Sequence, residues 1–334
     1  MNLRSLFINR WSRLRSGWRL ALFLLLYLAL QIIIATILLP LASLAVTPLR
    51  TLDHLINIIF RIVLLTSALL AGFLCARFLE GLPWKSLGLT LHQRWWRDLL
   101  IGSAIGCWSL ALAALLAYAG GGLSFSFTGG GLIYAVIRSI AVSALLFVVA
   151  ALAEEALFRG YPLQTMSRAN LAWLGVLLTS LAFAAVHLGN PNVVKVFSFA
   201  NTALAGVWLA VGYLKTRSLW FPLGLHWAWN WTLDSVAGLP VSGMKITSHP
   251  LLTATDLGPA WLTGGNYGIE GGLACTFALI IATIFTWRVR WVSPTPDLLR
   301  ITSEENPLEA GRPLSVVATE ETDTNQSEEQ TSQP

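Results

Sequence analysis

Of the 334 residues, 55% are hydrophobic and only 12% are charged, and the mean hydropathy is +0.65, a composition that excludes an ordinary soluble domain. The formal net charge is +5, but nine acidic and two basic residues fall in 293–334, so twenty basic residues face eight acidic ones in 1–292. That excess lies in short loops and termini without basic–aromatic interleaving, which argues for membrane orientation and anionic lipid and against a nucleic-acid partner.

A bilayer core about 30 Å thick needs about 20 mostly apolar residues per spanning helix. Arg4, Arg10, Arg13, Arg15 and Arg19 precede an apolar run at 20–46. That run is too long for the core of a cleaved signal peptide, although Ala42-Ser43-Leu44-Ala45 mimics a cleavage site, and a retained first helix with a cytoplasmic N-terminus is expected. Further spans are expected at 55–79, 99–120, 132–158, 171–188, 193–214, 219–236 and 269–287. The fold class is therefore an all-α, polytopic membrane helical bundle of about eight transmembrane helices, in a multi-pass protein of the cell membrane.

Alternation across eight spans gathers Arg77, Lys85, Arg94 and Arg97, then Arg159 and Arg168, then Lys215 and Arg217, then Arg288 and Arg290 on one side. The opposite side receives Arg50 and Asp53, the uncharged stretch 120–131, the turn Gly189-Asn190-Pro191-Asn192 and the loop 237–268. Both termini are then cytoplasmic. Residues 1–19 form a basic cytoplasmic N-terminus, 20–292 the transmembrane helical domain, and 293–334 an acidic cytoplasmic tail too poor in apolar residues to order itself. Gly102 and Gly106 form a G-x-x-x-G suited to close helix packing. Cys75, Cys107 and Cys275 stand singly on apolar segments, as small buried hydrophobes do.

Ionisable side chains inside a membrane are costly and need a partner or a task. They gather in three places. In Glu154-Glu155-Ala156-Leu157-Phe158-Arg159, adjacent glutamates point about 100° apart, whereas Glu155 and Arg159 lie one turn apart and can pair, which leaves Glu154 over. In Phe183-Ala184-Ala185-Val186-His187, an imidazole ends an apolar run. In His226-Trp227-Ala228-Trp229-Asn230, the spacing puts His226 and Asn230 on one helix face, continued by Asp234. A carboxylate, two imidazoles and a carboxamide on three spans form the inventory of a hydrolase.

The ordered set E-E-x-x-x-R, F-x-x-x-H and H-x-x-x-N resembles the signature of the CPBP family, also called Abi or type II CAAX prenyl endopeptidases, over residues 132–236. The entry Arg15-Ser16-Gly17-Trp18-Arg19 is also similar to bacterial members. The resemblance implies an all-helical membrane protease acting on a membrane-associated peptide or protein, with Glu154, His187, His226 and Asn230 at its catalytic positions and Glu155 and Arg159 completing the first motif. In such a site Glu154 serves as general base with His187 holding the attacking water, and His226 and Asn230 donate to the oxyanion. The family is often labelled a metalloprotease. Glu154, His187 and His226 would then form a minimal ligand set for a divalent metal such as zinc, and metal-free chemistry stands beside it because the helical H-E-x-x-H spacing is absent. No Ser or Cys nucleophile stands in an elbow or dyad setting.

Other roles compete for these residues. Glu155 with Arg159 makes a structural ion pair. The aromatic cluster Trp220, Phe221, Trp227, Trp229 and Trp231 reads as an interfacial belt and packing, Arg61 and Arg138 as snorkelling cations. Ser198, Asn201 and Asp234 either line a cavity or join helices. A non-catalytic membrane interaction or immunity protein of the same fold is the alternative function. These spans carry one tension: Glu154 and His226 fall towards the cytoplasmic half, and His187 roughly 15 Å towards the other side at about 1.5 Å per residue.

Overall fold

A computed structural model of the protein describes residues 4–9, 12–45, 49–129 and 133–303. The long helices follow the apolar runs: α1 (Ser16–Ala45), α2 (Leu49–Glu80), α3 (Trp95–Ala119), α4 (Ile133–Glu155), a short α5 (Tyr161–Arg168), α6 (Ala172–His187), α7 (Lys195–Thr216), α8 (Trp220–Trp231) and α9 (Leu273–Arg288). Five segments are long and apolar enough to cross a membrane: Ser16–Leu38, Ile58–Glu80, Trp95–Ala119, Ile133–Arg168 and Lys195–Thr216. The fold is a polytopic helical bundle, and each of the eight expected spans coincides with a helix. Its exterior carries the apolar side chains that a lipid phase demands, among them Leu25, Ile32, Phe78, Leu145 and Trp173, while Arg19, Glu80, Glu155, Arg159 and Arg168 are buried.

One end of the bundle is stapled by polar contacts among the basic segments. Lys85 Nζ lies 2.8 Å from Asp297 Oδ2, Lys215 Nζ donates to the Trp287 carbonyl at 2.7 Å, and Arg217 Nη1 donates to Ser167 Oγ at 2.5 Å. At the other end two loops pair as antiparallel strands, β1 (Leu123–Phe127) with β2 (Leu252–Asp256), in the register Leu123↔Asp256. The two loops thus share an end, as the alternation of charges requires. This strand pair was not expected.

Three sequence expectations change. The fourth span does not stop at residue 158. After Glu155 the chain makes a π-helical turn, Ala156–Gly160, and at Gly160 (ψ −122°) it bends into α5, whose first turn accommodates Pro162 because a proline there forfeits no helical hydrogen bond. The apolar segment therefore runs to Arg168. Arg159 and Arg168, expected as loop charges, are buried instead. Arg19 likewise belongs to α1 rather than to a basic N-terminal extension, and it is fully buried. These charges persist inside because they are matched: Glu80 receives Arg168 Nε at 2.8 Å and Nη2 at 2.7 Å, and Arg19 Nη1 at 3.1 Å. A buried carboxylate is tolerated where such geometry returns its desolvation energy.

The third change concerns the acidic tail. Its first part is helical: α10 (Pro296–Ser303) turns Leu298, Ile301 and Thr302 into the protein. Ile301 joins the apolar cluster of Phe23, Cys75, Leu87 and Tyr161. The remainder, 304–334, lies outside the described residues.

The helix that carries His226 is seated by glycine. A Cβ at Gly102 would stand 2.3 Å from the Phe221 carbonyl oxygen, one at Gly106 2.5 Å from that of Leu225, and one at Gly224 2.3 Å from that of Leu99. The G-x-x-x-G of α3 is thus a packing face, and α8 lies on it backbone to backbone.

Candidate active site

The site forms where α4 ends, α6 ends and α8 passes between them. Glu155 is completely buried, and its Oε1 receives Arg159 Nη1 at 3.1 Å and faces His226 Nδ1 at 2.8 Å. With the carboxylate accepting, the proton of the imidazole is held on Nδ1. Arg159 gives its other arm to the Gly206 carbonyl on α7 at 3.1 Å. Its guanidinium also covers the ring of Phe183 at 4.6 Å, a cation–π contact. The pairing read from the i, i+4 spacing is therefore present, and it has a third member that the spacing could not show.

Glu154 points elsewhere. Its side chain is 30% exposed, and Oε2 lies 3.6 Å from His226 Nε2 on the far side of the ring. One imidazole thus stands between two carboxylates, one sealed in protein and one open to a cavity. The cavity wall includes Glu154, His187, His226 and Asn230, so all four sequence-predicted site residues meet.

Phe183 is the spacer that brings the histidines together. Its ring centroid lies 4.6 Å from that of His187 and 5.9 Å from that of His226. His187 Nδ1 is 2.7 Å from the Phe183 carbonyl one turn back, which fixes that ring as the donor from Nδ1. The expected depth mismatch disappears. Glu154 and His187 line one cavity, and Phe183, one turn before His187, packs edge-on against Phe158 at 5.3 Å.

Among the described residues no three His, Cys, Asp or Glu side chains are grouped at metal-ligand spacing. Glu154, His187 and His226 share a cavity without forming such a set.

Further polar residues define the cavity on the loop side. Glu270 sits in a short 3-10 turn ahead of α9, where the expected eighth span had absorbed it. It receives Trp229 Nε1 at 2.9 Å, Ser242 N at 2.5 Å and Ser242 Oγ at 3.0 Å. Burial and the Glu270 carboxylate push the neighbouring Tyr267 hydroxyl pKa up, so that phenol stays protonated. Asn201 donates to the carbonyls of Glu270 and Gly272 at 2.8 and 2.9 Å. Asp234 accepts from Ile246 N at 2.9 Å and also from Thr247, so it pins the loop after α8 and does not line the cavity. Ser198 accepts from Val194 N at 3.0 Å at the start of α7. Of the tryptophans of α8, Trp227 and Trp231 donate to the α4 carbonyls of Ala144 and Ile140, which makes packing part of their role.

Glu155, His226 and Glu154 thus form a carboxylate–imidazole–carboxylate array inside a helical bundle, with Asn230 on the same cavity wall. Comparison with known proteins narrows the class: residues 136–232, which supply Glu154, His187, His226 and Asn230, match the family model described as Type II CAAX prenyl endopeptidase Rce1-like. That match covers 97 of the 334 residues. The chain is also 35% identical over 83 residues to an uncharacterized 24.3 kDa protein of Escherichia coli, a match covering 24% of this chain and 37% of that protein. The chain therefore spans little more than a third of the relative's length. No solved structure matches.

Proposed function

We propose that the protein is an intramembrane endopeptidase that hydrolyses a peptide bond of a membrane-associated substrate, with Glu154 as general base. One observation carries this reading. Of two adjacent glutamates, Glu155 is buried and committed to Arg159 and His226, whereas Glu154 keeps a carboxylate open to the cavity within 3.6 Å of His226 Nε2.

In the reaction Glu154 takes a proton from a water molecule oriented with His187, and the water oxygen forms a bond to the scissile carbonyl carbon. The resulting oxyanion is met by Asn230 Nδ2 and by Nε2 of a protonated His226, whose Nδ1–H stays with Glu155. Collapse of the tetrahedral intermediate breaks the C–N bond, and the proton held by Glu154 passes to the departing amine. Donors aimed at the oxyanion act strongly in a site shielded from bulk water. Glu155 and Arg159 are positioning residues here, since they act through His226.

The test compares the membrane proteome of cells making the wild-type protein with that of cells making Glu154→Gln. A cleavage product dependent on that carboxylate is expected. Identical peptide inventories at equal protein abundance would overturn the assignment.

A further inference from the structure

Arg61 lies on α2, within the apolar segment Ile58–Glu80, and lines the same cavity as Glu154 and His226. The sequence suggests that it snorkels to the interface. It is half-buried, and among the described residues it makes neither a hydrogen bond nor an ion pair. A guanidinium facing a cavity inside a membrane segment is costly to keep and marks a function by default.

The other ionisable groups on that wall include the carboxylates of Glu154 and Glu270 and the imidazoles of His187 and His226. Glu270 already holds three donors, from Trp229 and Ser242. Glu154 leaves Oε2 buried without a hydrogen bond. An anion entering the cavity is repelled by both carboxylates, and among the described lining residues Arg61 is the one permanently charged cation, its planar fork matching a carboxylate. On the α4 wall the lining residues Phe147, Ala150 and Glu154 fall on one helix face, leaving an apolar strip beside the open carboxylate. Among the described residues the cavity therefore offers an apolar trough, the Glu154–His226 end and an arginine with neither a hydrogen bond nor an ion pair.

We infer that Arg61 anchors a carboxylate of the peptide substrate and so determines specificity for the hydrolysis proposed above, on which this inference rests. The carboxylate is either the free C-terminus of the peptide or an acidic side chain. Both present the same planar anion.

The experiment uses one fluorescent apolar peptide in three forms: free acid, C-terminal amide, and amide with a single Asp. Binding is measured to full-length Glu154→Gln protein in zwitterionic nanodiscs, where no turnover intervenes, and hydrolysis is measured with the wild-type protein. The acid or the Asp form is expected to bind about 10- to 100-fold more tightly than the plain amide, the range for a charge-assisted hydrogen bond. Arg61→Gln should erase the difference through KM with little change in kcat, and Arg61→Lys should restore part of it. Whichever form is favoured identifies the source of the carboxylate. Equal binding of all three forms, absence of binding by any of them, or discrimination that survives Arg61→Gln overturns the inference. Discrimination without hydrolysis would instead remove the peptidase reading and leave the anchor in place.

Discussion

Nδ1 of His226 lies 2.8 Å from Glu155 Oε1, and the same oxygen receives Arg159 Nη1 at 3.1 Å. All three residues are buried, so this oxygen ties the orientation of a ring in the cavity wall to the integrity of an ion pair between neighbouring helical turns. On the proposed reaction, function and stability should be coupled at Glu155 and separable at Glu154. Glu155→Gln strands the Arg159 charge, and breaking one side of a buried pair typically costs about 3–5 kcal/mol. The double variant Glu155→Gln/Arg159→Met should recover much of that stability but not activity, because Nδ1 of His226 loses its charged partner. Thermal unfolding in detergent read beside turnover checks this. Recovery of turnover with stability would make Glu155 a purely structural residue.

Glu154→Gln and His187→Ala should abolish proteolysis while leaving the melting temperature close to that of the wild-type protein, since the Glu154 side chain is 30% exposed and shares no ion pair with Arg159. Asn230→Ala should retain detectable turnover, because loss of one oxyanion donor lowers the rate about 10²- to 10³-fold. Kinetics on any validated peptide decide the matter, and full activity in Glu154→Gln would remove that residue from the mechanism.

Much of this arrangement is legible in the sequence, and the omissions have a common cause. Apolar runs locate the helices because lipid demands length and hydrophobicity, and the motif order brings Glu154, His187, His226 and Asn230 together. What fails is the interpretation of charge. Arg168 in sequence looks like a loop cation, and its partner Glu80 is 88 positions away. Charge alone therefore ends the fourth span at residue 158, ten residues short of Arg168. Glu270 is hidden in the sequence for the same reason, its partners Ser242 and Trp229 lying 28 and 41 positions off. Local spacing reveals the Glu155–Arg159 pair but no pairing between distant helices. Phe183 was legible only as a motif letter, since its role depends on two histidines from different helices.

The seating of α8 on α3 predicts a backbone effect remote from the chemistry. Gly224→Ala would place a Cβ 2.3 Å from the Leu99 carbonyl oxygen, so α8 must lift or slide. Overpacking of this kind costs typically about 1–3 kcal/mol, and it displaces His226, two residues along. Turnover should fall more steeply than stability. Equal behaviour of Gly224→Ala and wild-type protein in both assays would show that the two helices have slack.

We expect the end bearing Lys85 to be cytoplasmic and the end bearing β1 and β2 to face the opposite side, from the distribution of basic residues. Single cysteines at Lys85 and at Leu257, which is 66% exposed beside β2, can be introduced into a variant without the native cysteines. An impermeant thiol reagent added to intact cells should label the second and not the first. The reverse pattern would invert the topology.

Truncation should divide the acidic C-terminal region into two parts with opposite behaviour. Removal of residues 304–334 should leave insertion, folding and turnover nearly unchanged, because the motifs all precede that segment and its composition offers little apolar surface to dock. Removal from Pro296 onward deletes α10 as well, and there the outcome differs. Leu298 is 2% exposed and Ile301 5% exposed, and full burial of such side chains stabilises by roughly 1.5–3 kcal/mol each. The Lys85–Asp297 pair adds little, being about half exposed at 2.8 Å. Loss of α10 also uncovers part of the cluster around Phe23, Cys75, Leu87 and Tyr161, next to the Glu80–Arg168 pair. The longer truncation should therefore lower the melting temperature by several degrees at equal membrane abundance while the shorter one does not. Leu298→Asp should reproduce the longer truncation in the full-length chain. If both truncations melt alike, α10 rests on the bundle without stabilising it; if both lose stability, the residues beyond 303 also contribute to the fold.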